Sequence, residues 1–227
     1  MKFKSQVYTQ VSGSVGGITY AHNQGGMYAR ARSIPVDPAS SFQLAVRNAM
    51  AQLVTRWESV LTQTQRDAWD VFAANVPVLD PLGDSILISG IAWYLKANAA
   101  RRAAGKTVVD AAPITFTMAD LTTPTITISA TTDQVSVTFD NTDDWATAVG
   151  GHLLVYTSRP QNAGLQFFKG PYRLAGTVNG AVSPPTSPAA IALAFPTAPG
   201  NRIFVRFVAT NADGRISASQ RLSALAV

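Results

Sequence analysis

Near Thr107 the spacing of apolar residues changes from the helical step of three to four to the alternation of a strand, and that change divides the chain into two kinds of structure. Before it, Phe42, Val46, Met50, Leu53, Trp57 and Leu61 recur at steps of four, four, three, four and four, laying one apolar stripe along a helix. Ser40 with Gln43, and Thr62 with Gln65, each set a hydroxyl three residues before a Gln, the pattern that satisfies the orphan amides opening a helix. The spacing predicts a first helix ending near Leu61 and a second starting at once. Ala68, Trp69, Phe72 and Ala73 form the apolar side of the second, and Asn75 with Pro77 closes it. So short a join predicts that the two fold against each other. Ser89 can cap a third helix over 90–104, where Lys96, Arg101 and Arg102 suit the negative end of the dipole.

After Thr107 the segments 113–117, 124–128, 134–139, 152–157, 172–177, 191–195 and 202–208 read as short strands separated by turns, which indicates an antiparallel sandwich. The expected fold class is α+β in two parts. A Gly-rich basic arm with a hairpin occupies 1–37, a small three-helix segment 38–106, a linker 107–121, and an antiparallel β-sandwich of immunoglobulin or fibronectin III-like type 122–227.

The arm has little with which to form a core. The segment from Ser12 to Gly17 is too flexible to hold itself, and 18–21, 23–26 and 27–32 read as strand, turn, strand. Such a ribbon is marginal alone and is expected to add to a partner's sheet or surface. Tyr20, Tyr28, Arg30 and Arg32 are the candidate partner-binding residues; Arg30 and Arg32, two apart, share a face with Tyr28 in a geometry suited to carboxylates or phosphates. The glycines at 13, 16 and 17 lack the Lys of a phosphate-binding loop, so they read as a hinge.

Composition removes several chemistries. Cysteine is absent from the 227 residues, which excludes disulfides, thiolate metal sites and Cys nucleophiles. No apolar run reaches the roughly 18 residues needed to cross a bilayer, and the first six residues lead into no signal segment. The chain is therefore expected to start at Met1, to be made in a cytosol and to have no membrane partner. Of the net charge of +5, all the excess lies in residues 1–106, with eleven Lys and Arg against six Asp and Glu; residues 107–227 hold seven of each. With no consecutive basic run, a protein partner reads ahead of nucleic acid.

No enzyme, cofactor or metal is expected. His22 and His152 stand far apart and read as surface or edge residues rather than general bases. Asp80 and Asp84 fit a simple turn, and Asp140, Asp143 and Asp144 fit a solvated loop whose spacing misses the calcium-loop pattern. Trp57, Trp69 and Trp93 fall on predicted helices, so core packing explains them better than base or sugar stacking.

Two resemblances add to this. The run from Phe204 to Ser217, with Asn211, Ala212, Asp213 and Gly214 as its turn, resembles the last two strands of a fibronectin type III or immunoglobulin-like domain, which implies a fold and little about function. The usual core Trp is missing from the third strand, where Leu154 and Tyr156 stand. The N-terminal half resembles a group of tailed-bacteriophage and prophage proteins. Gly16-Gly17-Ile18-Thr19-Tyr20, Asn23, the run from Gly26 to Arg32, Pro35, Pro38, Arg47, Trp57 and the run from Leu61 to Trp69 carry that likeness. It implies a virion structural protein, made in the host cytoplasm and present in many copies or as a homo-oligomer. The expected partner is the major capsid protein or another virion protein, in the role of capsid decoration or cement. A tail or neck component is the nearest alternative, and a nucleic-acid-binding protein using the basic arm is the alternative of a different class.

Overall fold

The change of period carries through to the structure, a computed structural model that describes residues 11–23, 26–80 and 83–227. The fold is α+β, with four helices and antiparallel sheets among the described residues. It falls into two units, residues 1–44 and residues 45–227.

In the first unit β1 (Gly13–Val15), β2 (Ile18–Asn23) and β3 (Gly26–Ala31) form a sheet in the order β1-β2-β3. The expected hairpin thus gains a strand from the segment expected to be flexible. Gly16 and Gly17 have φ of 54° and 85°, the left-handed pair that a two-residue hairpin turn requires, and Val15 pairs with Ile18 across it. Gln24 and Gly25 of the other expected turn, and the first six residues, lie outside the described residues.

Helix α1 (Ser41–Ser59) runs from the first unit into the second. The expected cap forms reciprocally: the Gln43 amide donates to Ser40 Oγ at 3.4 Å, and the Ser40 amide donates to Gln43 Oε1 at 3.2 Å. Thr62 and Gln65 close the same box at the start of α2 (Gln63–Asn75). After the two-residue strands β4 (Val78–Leu79) and β5 (Ser85–Ile86) comes α3 (Gly90–Ala103).

The expectation that α1 and α2 fold along each other is corrected: α2 lies along α3. Gly90 makes the approach possible, since a Cβ there would stand 2.7 Å from the Asp70 backbone nitrogen. Asp70 also replaces Ser89 as the cap. Its Oδ1 accepts from the Gly90 amide at 3.0 Å, while the Ser89 side chain makes no cap bond. Helix α1 brings only Leu53 and Trp57 into the core, with Leu61 just beyond it. Phe42, Val46 and Met50, the first half of its apolar stripe, stay exposed. Around Trp69 the rings meet edge to face, with Phe72 at 5.9 Å and Tyr94 at 5.7 Å, while Trp93 meets Phe72 at 5.3 Å.

The remaining elements are β6 (Thr125–Ser129), β7 (Gln134–Thr138), the short helix α4 (Asp144–Thr147), β8 (His152–Thr157), β9 (Arg173–Asn179), β10 (Ala189–Ala192), β11 (Arg202–Thr210) and β12 (Gln220–Leu225). They make two antiparallel sheets, β10-β7-β6 and β12-β11-β8-β9, which bury Val135, Val137, Leu153, Val155, Ile203, Val205 and Phe207 in a common core. Alternation explains the choice: Ile203, Val205 and Phe207 face inward while Arg202 and Arg206 stand on the other side. The Trp missing from the third strand is supplied by α4, whose Trp145 is fully buried against Phe139. The expected strand at 113–117 does not form; Ile114 is exposed and Phe116 turns to Phe72.

Residues 107–121 carry no helix or strand, yet three helices hold them. Arg56 of α1 forks onto Asp110 with bonds of 2.7 and 2.6 Å. Trp69 of α2 donates to the Asp110 carbonyl at 2.9 Å, and Tyr94 of α3 donates to its carboxylate at 3.4 Å. Asn98 pairs with the backbone of Val109 in both directions, at 3.0 and 2.8 Å. Farther on, the Ala119 amide donates to the Ile216 carbonyl, and Ile216 with Val208 joins the helical core.

Arg101 does more than suit a dipole. It is buried, and its guanidinium donates to the carbonyls of Thr107 at 2.9 Å, Gly150 at 3.2 Å and Asn211 at 3.0 Å, so one α3 side chain fastens the helices to two loops of the β part.

Candidate functional site

The arm's register decides which of its residues can act together. Thr19 faces Arg30 and Ala21 faces Tyr28 across β2 and β3, while Tyr20 faces Ala29. Directly opposed residues share a face and neighbours alternate, so Tyr28 and Arg30 lie on one face with Thr19 and Ala21. Tyr20 lies on the other face, with Ile18 and Ala29. Arg32 sits one residue beyond β3, and its amide donates to the Gly17 carbonyl at 2.8 Å, continuing the ladder and the alternation that puts it with Arg30. Both arginines are exposed, and both tyrosines are half-buried. The structure thus brings together three of the four expected residues and separates Tyr20.

Two further features of the first unit were not singled out in the sequence. Among the described strands, β1 and β3 each pair with β2, which makes β2 the centre of the ribbon. Large apolar side chains also stand in solvent: Val15 is 73% exposed, Ile34 76% and Val36 88%. The missed signal was their density beside so few acids: residues 1–57 hold six Lys and Arg and the single acid Asp37. Exposed apolar groups at this density make the segment a candidate interaction surface.

The candidate catalytic groups have other partners. His152 is not a surface or edge residue; it is fully buried. Its Nδ1 lies 3.3 Å from the Gly150 carbonyl, an obligate acceptor, which makes Nδ1 the protonated nitrogen. Nε2 then accepts from the Thr210 hydroxyl at 2.6 Å. Burial drives its pKa down to about 4, with the Gly150 carbonyl opposing and the charges of Arg101 and Lys106 adding to the fall. His22 is exposed on β2, opposite Met27.

Nor is Asp143 part of a solvated loop. It is buried and accepts from the Thr122 amide at 3.0 Å, the Thr122 hydroxyl at 2.8 Å and Trp145 Nε1 at 3.1 Å. Asp140 is exposed, and two bonds from Thr142 lower its pKa. Among the described residues no group of three His, Asp or Glu side chains could hold a metal ion, and no helix is long and apolar enough to cross a membrane.

Comparison with known proteins places the chain beside none of them: no family model, curated protein or solved structure matches it.

Proposed function

We propose that the chain is a virion structural protein of a tailed phage, a capsid decoration or cement protein. In this reading the arm and α1 attach to the major capsid protein, and the β part is displayed. The observation that carries it is the first unit itself: Arg30 and Arg32 exposed on one face of the ribbon, and apolar side chains left in water. The arginines would meet carboxylates on the partner, and Val15, Ile34 and Val36 would lose water. Many copies on one particle would turn weak single contacts into avidity. The likeness of the N-terminal half to tailed-phage proteins supports the particle, and the shortage of acids in the arm supports an acidic face on the partner.

The β part is proposed to be a fibronectin type III-like sandwich. Its first, second and fifth strands share one sheet, and its third, fourth, sixth and seventh share the other. Pairing of the fourth strand with the third favours this subtype over the immunoglobulin constant type, whose fourth strand joins the first sheet.

The test is co-sedimentation of the full chain, and of a version lacking residues 1–37, with assembled DNA-free capsid shells. Saturable binding by the full chain that is lost on truncation is the expected result. Failure of both folded proteins to bind overturns the capsid assignment and leaves a tail or neck position. Salt separates the nucleic-acid alternative: phosphate binding weakens log-linearly and steeply as salt rises, whereas a mixed apolar contact weakens less.

A further inference from the structure

The balanced charge of residues 107–227 conceals a separation. All seven Lys and Arg lie beyond position 145, where Asp213 is the only acid, and the other six acids lie between 110 and 144. The basic residues therefore collect on the strands and loops of the β12-β11-β8-β9 sheet. Several are already engaged: Arg215 with Asp213 and Asp144, Arg202 with the Ala163 carbonyl and the Ser223 hydroxyl, and Arg159 over the Phe195 ring.

Arg206 and Arg221 are different. They stand directly opposite each other on β11 and β12, on the face away from the core, and neither forms an ion pair among the described residues. Like charges so placed repel. Arg206 is fixed, with its guanidinium carbon 4.4 Å over the Tyr156 ring and 5.5 Å from that of Tyr172, and its Nε is buried without a hydrogen-bond partner. Arg221 is exposed.

Beside Arg221 lies a pocket of about 210 Å³. Phe168, stacked on Phe204 at 5.5 Å, lines it, and Tyr172 steadies that loop by donating to the Phe168 carbonyl at 3.0 Å. Phe167 at its rim is 68% exposed and pairs with no other ring among the described residues. Gln166 and Ser223 supply polar groups; Ser223 Oγ already accepts from Arg202, which leaves its hydroxyl proton for a ligand oxygen.

We propose that this pocket binds an acidic sugar. Arg221 takes the carboxylate, with the fixed charge of Arg206 reinforcing it; Phe167 covers the apolar face of the sugar ring; Gln166 and Ser223 meet its hydroxyls. A peptide strand has less edge to use, because Ala226, just beyond β12, is already bridged to Ile128 of β6. Stacked bases also fit less well, because Arg206 occupies the space between the Tyr156 and Tyr172 rings. The site does not depend on the arm.

The experiment is calorimetric titration of the full chain with a glucuronate tetrasaccharide, with the same tetrasaccharide after its carboxyls are reduced to alcohols, and with a short oligothymidylate. Saturable binding of the acidic sugar is expected, weakened roughly tenfold or more by carboxyl reduction and by Arg221→Gln, the scale of one charge-assisted fork. Phe167→Ala should weaken both sugars alike. Equal affinity for the acidic and reduced sugars, binding unchanged by Arg221→Gln in a protein of unaltered unfolding midpoint, absence of saturation by the acidic sugar, or tighter binding of the oligothymidylate would each overturn the proposal.

Discussion

Two segments without a core of their own, residues 11–37 and residues 107–121, look alike in sequence, and the structure treats them in opposite ways. The later one is gripped by Arg56, Trp69, Tyr94, Asn98 and Arg101, side chains that satisfy its backbone or the half-buried Asp110 carboxylate. The earlier one satisfies its backbone within a three-stranded ribbon and leaves Val15, Ile34 and Val36 in water. Irregular backbone becomes part of a fold when long polar side chains reach it from a packed scaffold. A ribbon that leaves its large apolar side chains in water is instead a candidate surface for a partner.

The difference can be broken most severely at Arg101. Arg101→Ala takes the guanidinium from the carbonyls of Thr107, Gly150 and Asn211, of which Gly150 keeps His152 Nδ1 and Asn211 keeps the Gly214 amide, and empties a buried site; it should cost about 3 kcal/mol, read as a fall in the urea midpoint.

Acid should loosen the same seam. The folded pKa of His152, about 4, lies below its ordinary 6.5, so the stability tied to neutral His152 is complete above about pH 6.5 and is lost as pH falls toward 4. The loss should be of order 2 kcal/mol. His152→Gln should flatten the dependence of unfolding free energy on pH across that window.

Asp110→Asn should cost about 1 kcal/mol, because the Arg56 fork is partly exposed while the Trp69 bond to the backbone survives. The smallest effect on stability belongs to the other segment. Ile34→Ser and Val36→Ser should change the unfolding free energy by no more than about 0.5 kcal/mol. Both should nevertheless weaken sedimentation with capsid shells, and an unfolding cost of several kcal/mol for either would show the residue to be buried within this chain.

The parts legible in the sequence were those set by local rules. The capping pairs at Ser40 and Thr62 formed as their spacing implied, and the alternating segments became strands in nearly every case. Gly16-Gly17 carried a turn signal as well as a flexibility signal, and the turn reading wins because Val15 and Ile18 flank it as paired strand residues. What could not be read is non-local. Nothing near Asp110 announces that Arg56, 54 residues away, will reach it, and nothing in the α1 stripe tells where its cover stops. Tyr20 was grouped with Tyr28 because both are aromatic and close in sequence, but the register of β2 against β3 puts them on opposite faces. The basic face of the four-stranded sheet was countable, though only in windows shorter than half the chain.

Amide hydrogen exchange on the free full-length protein tests the central distinction directly. The Val109 and Ala119 amides, bonded to Asn98 and Ile216, should exchange nearly as slowly as those of β8 and β11, while the amides of β1 to β3 exchange orders of magnitude faster. Protection of the β1–β3 ribbon as strong as that of β11 would contradict the distinction, since the arm would then be a stable part of the free fold rather than a surface awaiting its partner.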